Sequence, residues 1–148
     1  MKQILIINGH NMNMLGQREP EKYGYQTLEE INELIEEKAE SLGFECDFLQ
    51  SNYEGEIVTL LHNSEDYDGI ILNAAAYSHY SIAIRDAISS ISTPVIEVHM
   101  TNIHSRDDFR RVSVTAPVCH GSIVGFGVTS YLLALHALVE ITEKMDVR

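Results

Sequence analysis

Three features of the sequence predict a doubly wound α/β fold. Short apolar runs rich in β-branched residues alternate with longer stretches of helical periodicity, three of the runs close on Asn or His, and Gly or Asp-Gly punctuates the joins. Strands alternating with helices form βαβ units, which build a parallel sheet with helices on both faces. Five such units in 148 residues match a single flavodoxin-like domain, residues 1–148, with strand order 2-1-3-4-5.

Taken in order, Ile4-Leu5-Ile6-Ile7 is a short apolar run closed by Asn8-Gly9 and reads as a buried first strand. The stretch from Asn8 to Tyr25 then carries three Asn, three Gly, one Arg, one Pro and two Tyr before helical periodicity begins. Connections in compact domains usually span about 4–6 residues, so one this long suggests a binding loop or lid. Thr27-Leu28-Glu29-Glu30 has capping-box form, and Leu28, Ile31, Ile35, Ala39 and Leu42 repeat at helical spacing up to a stop at Gly43. Phe44 to Leu49 alternates as a second strand, Ser51 to Gly55 is a turn, and a helix covers Ile57 to Ser64. Asp68-Gly69 introduces a third strand, Ile70-Ile71-Leu72, which ends at Asn73. After the small-residue loop Ala74 to Tyr80, Ser81 caps a helix whose apolar face is Ile84, Ala87, Ile88 and Ile91. Pro94 to Val98 is a fourth strand ending at His99, residues 100–112 are polar and arginine-rich, and Ser113 to Val118 reads as a short irregular strand. Ser122 to Gly125 is expected as a fifth core strand, followed by an apolar helix from Val128 to Lys144.

Composition narrows the function. A 45% hydrophobic fraction is enough for one core, and the formal net charge is −12, from 22 acidic and 10 basic residues. Nucleic acid and anionic membranes are poor partners for such a surface. No run of 18 apolar residues and no signal-peptide pattern is present, and Cys46 and Cys119 suit free thiols, so a cytoplasmic protein is expected. Arg106, Arg110 and Arg111 cluster within six positions, and Arg18 stands in the opening loop. In an acidic chain such arginines are either ion-paired or kept for an anionic ligand.

Ligands in this fold bind at the carboxyl ends of the strands, near the switch point between strands one and three. Three polar clusters belong there: Asn8 to Asn13, Asn73 to His79, and His99 to Asn102. Their chemistry is restricted. No CxxC, HExxH or Walker loop occurs, and His99 with His104 gives only two metal donors. Gly125-Phe126-Gly127 fits a tight turn better than a dinucleotide loop, and the four lysines lie at a terminus, in the loop or on exposed helix. On the residues alone, metal and dinucleotide sites have only weak support. What remains is acid–base chemistry by His, Tyr and Arg on an anionic substrate. A tyrosine of pKa about 10 is a weak base at neutral pH, but a nearby arginine favours the phenolate. Arg18 and Tyr23 share one loop with Pro20 between them, which makes that pairing geometrically reasonable. Tyr23 taken alone reads more readily as a loop anchor than as a catalyst.

The motifs taken together say more. NGHNMNMLGQREPEKYG resembles the opening signature of the type II 3-dehydroquinate dehydratases, NGPNLNLLGxREPxxYG in its common form. The resemblance continues through QSNYEGEIV, NAAAYSHYSIAIRDA, PVIEVHMTNIHSRDDFR and APVCHGSIVGFG, in the family's order and over essentially the whole chain. It implies dehydration of 3-dehydroquinate to 3-dehydroshikimate, in aromatic amino acid biosynthesis or quinate breakdown, without metal or cofactor. On this resemblance Tyr23 is the base, Arg18 stabilises the transition state, Asn11 positions the water that stabilises the enolate, and His99 is the proton donor. Asn73, His79, Asp86, Arg110 and the backbone of Met100-Thr101 hold the substrate, and residues 17–25 form the lid. A homododecamer built from trimers is also implied.

The chain departs from the family pattern in places. His10 stands where Pro is common, Ala74-Ala75 where Pro-Gly or Ala-Gly is usual, Tyr80 where Thr is common, and Arg111-Val112 where histidine often occurs. His10 is then either a turn residue or an added substrate contact. Two readings from other classes stay open on the residues alone: a module that senses a small carboxylate without turnover, and a nucleotide or flavin binder using the Gly125 turn.

Overall fold

The computed structural model describes residues 1–17, 19, 21 and 24–147. Five parallel strands lie in the order β2-β1-β3-β4-β5: β1 Lys2–Asn8, β2 Phe44–Gln50, β3 Gly69–Asn73, β4 Val95–His99 and β5 Gly121–Val124. Among the described residues three helices connect β1 to β4 in turn, α1 Leu28–Ser41, α2 Glu54–His62 and α3 Ile82–Ser89; 3-10 turns join β4 to β5, and α4 Thr129–Asp146 follows β5. The expected doubly wound topology is the observed one.

The central strand shows why. Ile4 and Ile6 pack with Ile31 and Ile35 of α1 and Tyr131 and Leu135 of α4, whereas Leu5 and Ile7 pack with Ile57 and Leu61 of α2 and Ile84 and Ile88 of α3. Side chains on a strand alternate between faces, so an unbroken apolar run fills both layers at once. Each such side chain contributes about 1.5–3 kcal/mol by leaving water. Helix starts are fixed by side chains: Glu30 N–H donates to Thr27 Oγ1 at 3.2 Å, and Ile84 N–H to Ser81 Oγ at 3.0 Å. Ser51 accepts from Tyr53 N–H at 3.0 Å and donates to Glu56 at 2.6 Å, which starts α2 three residues before the expected Ile57.

Two expectations are corrected. Residues 113–118 form no strand; Ala116–Val118 is a 3-10 turn containing Pro117, which has no N–H for a ladder, and the Ser113 and Thr115 hydroxyls are committed to Glu97. The fifth strand is Gly121–Val124, half-buried at the sheet edge, not a core strand at Ser122 to Gly125. Gly125 instead turns the chain at φ 96°, with Asn102 packed against it.

Register brings the strand ends level. Asn8 lies opposite Asn73 on one side and Gln50 on the other, and His99 lies opposite Val124. Just past Asn8, Gly9 runs so close to Ala74 that a Cβ would sit 2.7 Å from its carbonyl atoms. A second close approach occurs where the opening loop begins and ends. A Cβ on Gly16, whose φ is 85°, would sit 2.9 Å from the Tyr25 carbonyl oxygen. Gly16 and Tyr25, the two ends of the loop, thus lie side by side. No helix among the described residues is long and apolar enough to cross a membrane.

Candidate active site

At the carboxyl ends of β1, β3 and β4 the loops border a cleft of about 100 Å³. Of the sequence-derived site residues, Asn11, Asn73, His79, His99, Met100, Thr101 and Arg110 all line it. Asp86 is exposed on α3 and does not line the cleft of its own chain. Arg18 and Tyr23 lie outside the described residues, as do positions 20 and 22 of the expected lid.

His99 is the last residue of β4 and only 5% exposed. Its Nε2 sits 3.1 Å from a Glu97 carboxylate oxygen, two residues earlier on the same strand face. Glu97 has no exposed surface, yet it accepts from Ser113 Oγ at 2.7 Å and from the Thr115 hydroxyl as well. Burial pushes the Glu97 carboxyl up, but the bonds from His99, Thr115 and Ser113 outweigh it and hold the group below the usual carboxylate value. Because the carboxylate accepts, Nε2 carries a proton, and Nδ1 is the ring nitrogen left for chemistry. His79 stacks on His99 at 6.1 Å between ring centroids and donates from Nδ1 to the Val112 carbonyl at 2.8 Å. Burial lowers the His79 pKa and the charges of His99 and Arg110 lower it further, against the Val112 bond, so His79 is neutral and offers Nε2 as an acceptor.

Arg110 meets the demand for an anion partner. Its Nε is buried with no hydrogen-bond partner among the described residues; the Asp107 carboxylate, at 3.8 Å, is too far to accept from it. Arg111 behaves differently, pairing with exposed Asp108 at 3.2 Å away from the cleft. Arg106 also lines the cleft, beside Thr101 at 3.4 Å.

Asn11 adopts a left-handed conformation, φ 64°, which Asn tolerates better than most residues. Its N–H donates to Asn52 Oδ1 at 3.0 Å, and Gln50 Nε2 donates both to that oxygen and to the Gly9 carbonyl. The end of β2 thus braces the turn that aims Asn11. His10 lines the cleft while its Nε2 accepts from Ala76 N–H at 3.1 Å and its ring meets Tyr77 edge-on at 4.7 Å. His10 therefore ties the first loop to the third strand's loop, whatever else it touches. His104 is exposed outside the cleft, and among the described residues no three metal-binding side chains gather. Gly125 and Gly127 also lie outside the cleft, forming the tight turn that fits their positive φ values of 96° and 60°.

Sequence reasoning missed Glu97, Ser113, Thr115 and Arg106 as parts of this site. One signal was available. A glutamate inside Val95-Ile96-Glu97-Val98 lies in a strand covered on both faces, and a buried carboxylate requires partners.

The Dehydroquinase class II family matches residues 2–139. The 3-dehydroquinate dehydratase of Caldicellulosiruptor bescii is 52% identical over 145 residues, covering 97% of this chain and all of that one. That of Bacillus cereus is 55% identical over 141 residues, or 95% and 97% of the two chains. The crystal structure of type II dehydroquinase from Butyrivibrio crossotus superposes with a TM-score of 0.90 at 44% identity, covering 93% of this chain and 97% of that one. With a matching family model, a shared fold and relatives this close over nearly its full length, the chain belongs to the class II dehydroquinase family.

Proposed function

We propose that this chain dehydrates 3-dehydroquinate to 3-dehydroshikimate through an enolate, with Tyr23 as base and His99 as acid. The reaction rests on family membership; the residue roles are inferred. The base takes the C2 proton, and the electron pair moves onto the C3 carbonyl oxygen. When the carbonyl re-forms, the C1 hydroxyl leaves as water with a proton from His99, and a C1–C2 double bond remains. Well under 1% of an ordinary tyrosine is ionised at neutral pH, so the base needs the Arg18 cation, each tenfold gain in the phenolate-to-phenol ratio corresponding to about 1.4 kcal/mol. Asn11 holds the water that stabilises the enolate oxygen.

The observation that carries this reading is the Glu97–His99 pair. A buried carboxylate at 3.1 Å is the counter-ion that a protonated imidazole needs in a closed site, and it leaves Nδ1 for the departing hydroxyl. Arg110 and the Met100-Thr101 backbone hold the substrate carboxylate, while Asn73 and His79 hold its oxygens. Residues 17–25 act as the lid that brings Arg18 and Tyr23 over the substrate. Asp86, lying outside its own cleft, serves through a neighbouring copy in a dodecamer of trimers.

The decisive experiment follows the conjugated enone. Protein mixed with 3-dehydroquinate gives rising ultraviolet absorbance, unaffected by EDTA or borohydride. No rise at micromolar protein overturns the reading, and a Tyr23→Phe variant of near-normal rate removes Tyr23 as base.

A further inference from the structure

Behind the cleft lies a polar chain that no step of the dehydration uses directly. Tyr131 of α4 is fully buried in the apolar layer between helix and sheet, yet its hydroxyl reaches the ends of both central strands. It donates to Asn8 Oδ1 at 2.6 Å and accepts from Asn73 Nδ2 at 2.9 Å. Asn73 Oδ1 in turn accepts from the Ala75 backbone N–H at 3.1 Å.

One backbone group sets the direction of all these bonds. An amide N–H can only donate, so the Asn73 atom facing Ala75 is the oxygen and the atom facing Tyr131 is the nitrogen. The Tyr131 oxygen must therefore accept from Asn73, and its single hydrogen goes to Asn8. Burial pushes the Tyr131 phenol upward, so it stays a neutral hydroxyl and keeps both roles. Asn73, only 4% exposed and lining the cleft, then has one N–H not committed to any of the described residues.

We infer that Tyr131 is a positioning residue: it locks the Asn73 amide so that the cleft meets an N–H donor, aimed at an acceptor oxygen of the substrate. The inference rests on the cleft being the dehydroquinate site. Removing the Tyr131 hydroxyl leaves Asn73 Nδ2 without its buried acceptor, and the amide gains freedom to rotate or flip. Ground-state and transition-state binding suffer together, because Asn73 touches an oxygen that does not react.

Tyr131→Phe tests this with the ring, and hence the core packing, retained. The expected result is a KM about tenfold higher, equivalent to about 1.4 kcal/mol of binding, with kcat within about twofold of wild type. Asn73→Ala raises KM by itself, and adding Tyr131→Phe to it raises KM no further, since the hydroxyl acts only through the amide. A purely structural Tyr131 would give additive effects or lower kcat, and either result, or an unchanged KM in Tyr131→Phe, overturns the inference. Should Tyr131→Phe not fold, a neutron crystal structure of the wild type with 3-dehydroshikimate, which tells amide nitrogen from oxygen, decides. Asn73 Nδ2 within about 3.2 Å of a ligand oxygen supports the inference, and Oδ1 in that place overturns it. An inactive wild type would remove the functional reading itself, an outcome distinct from an active wild type with an indifferent Tyr131→Phe.

Discussion

Glu97 and His99 meet at 3.1 Å on the same face of β4, one carboxylate fully buried and one imidazole nearly so. The hydroxyls of Ser113 and Thr115 complete the carboxylate's shell from a segment that crosses beneath the cleft. The fourth strand therefore carries both the proposed acid and the carboxylate beside it.

Glu97→Gln removes the counter-ion while preserving shape. Positioned general acids contribute about 10²–10⁴-fold, and loss of the charge behind this one lowers kcat by about 10–100-fold with little change in KM. Steady-state kinetics across pH checks this; an unaltered kcat would mean that Glu97 serves only the fold.

The same carboxylate makes stability depend on acid. Its pKa in the folded protein lies below the ordinary value of 4.5, so the unfolded chain binds the proton more readily. Its stabilising contribution is full above pH about 4.5 and is lost as pH falls through the depressed folded value. Melting curves should show wild type above Glu97→Gln by about 1–3 kcal/mol at pH 7, with the gap narrowing below pH about 4.5.

Arg110→Gln removes a cation whose buried Nε has no hydrogen-bond partner among the described residues. Charged hydrogen bonds are worth about 1.5–3 kcal/mol, so KM rises about 10–100-fold. A bound analogue lacking the substrate carboxylate should lose no affinity on this substitution; equal losses for both ligands would place Arg110 elsewhere in the site.

The fold was legible where burial is symmetrical. Ile4 to Ile7 is apolar at every position because both of its faces are covered, and a central parallel strand follows directly. At the sheet edge the signal fades. Gly121–Val124 is only half-covered, so hydrophobicity misplaced its start by one residue. Ser113 to Val118 looked like a strand from its β-branched residues, but two of its hydroxyls answer to Glu97, a requirement set 16 and 18 residues away. The site's first layer of residues follows from motifs at strand ends. Its supports do not: Tyr131 and Asn8 are 123 positions apart, and no local pattern marks a buried tyrosine in an apolar helix as a hydrogen-bond bridge.

Ala75 marks a place where this chain carries strain. Its φ is 55°, in the left-handed region that disfavours a Cβ, at a position where the sequence resemblance expects glycine. Left-handed backbone costs an L residue roughly 1–2 kcal/mol, against about 0.4–1 kcal/mol gained from a stiffer unfolded chain. Ala75→Gly therefore stabilises the protein by up to about 1 kcal/mol, a rise of about 2–4 °C in Tm for a chain of this size. A lower Tm would show that the turn relies on the Ala75 methyl.

The close approach of Gly16 to Tyr25 has a consequence for how such proteins diversify. A loop whose two ends already touch is an interchangeable cassette. Doubling its length changes the closure entropy by only about 0.6 kcal/mol, so insertions between the two anchors scarcely disturb the sheet beneath. The segment between residues 16 and 25 can vary in length around the proposed Arg18 and Tyr23, while the glycine at its root cannot change. Grafting the corresponding segment from a relative is accordingly a modular operation, carried out at one point on the scaffold.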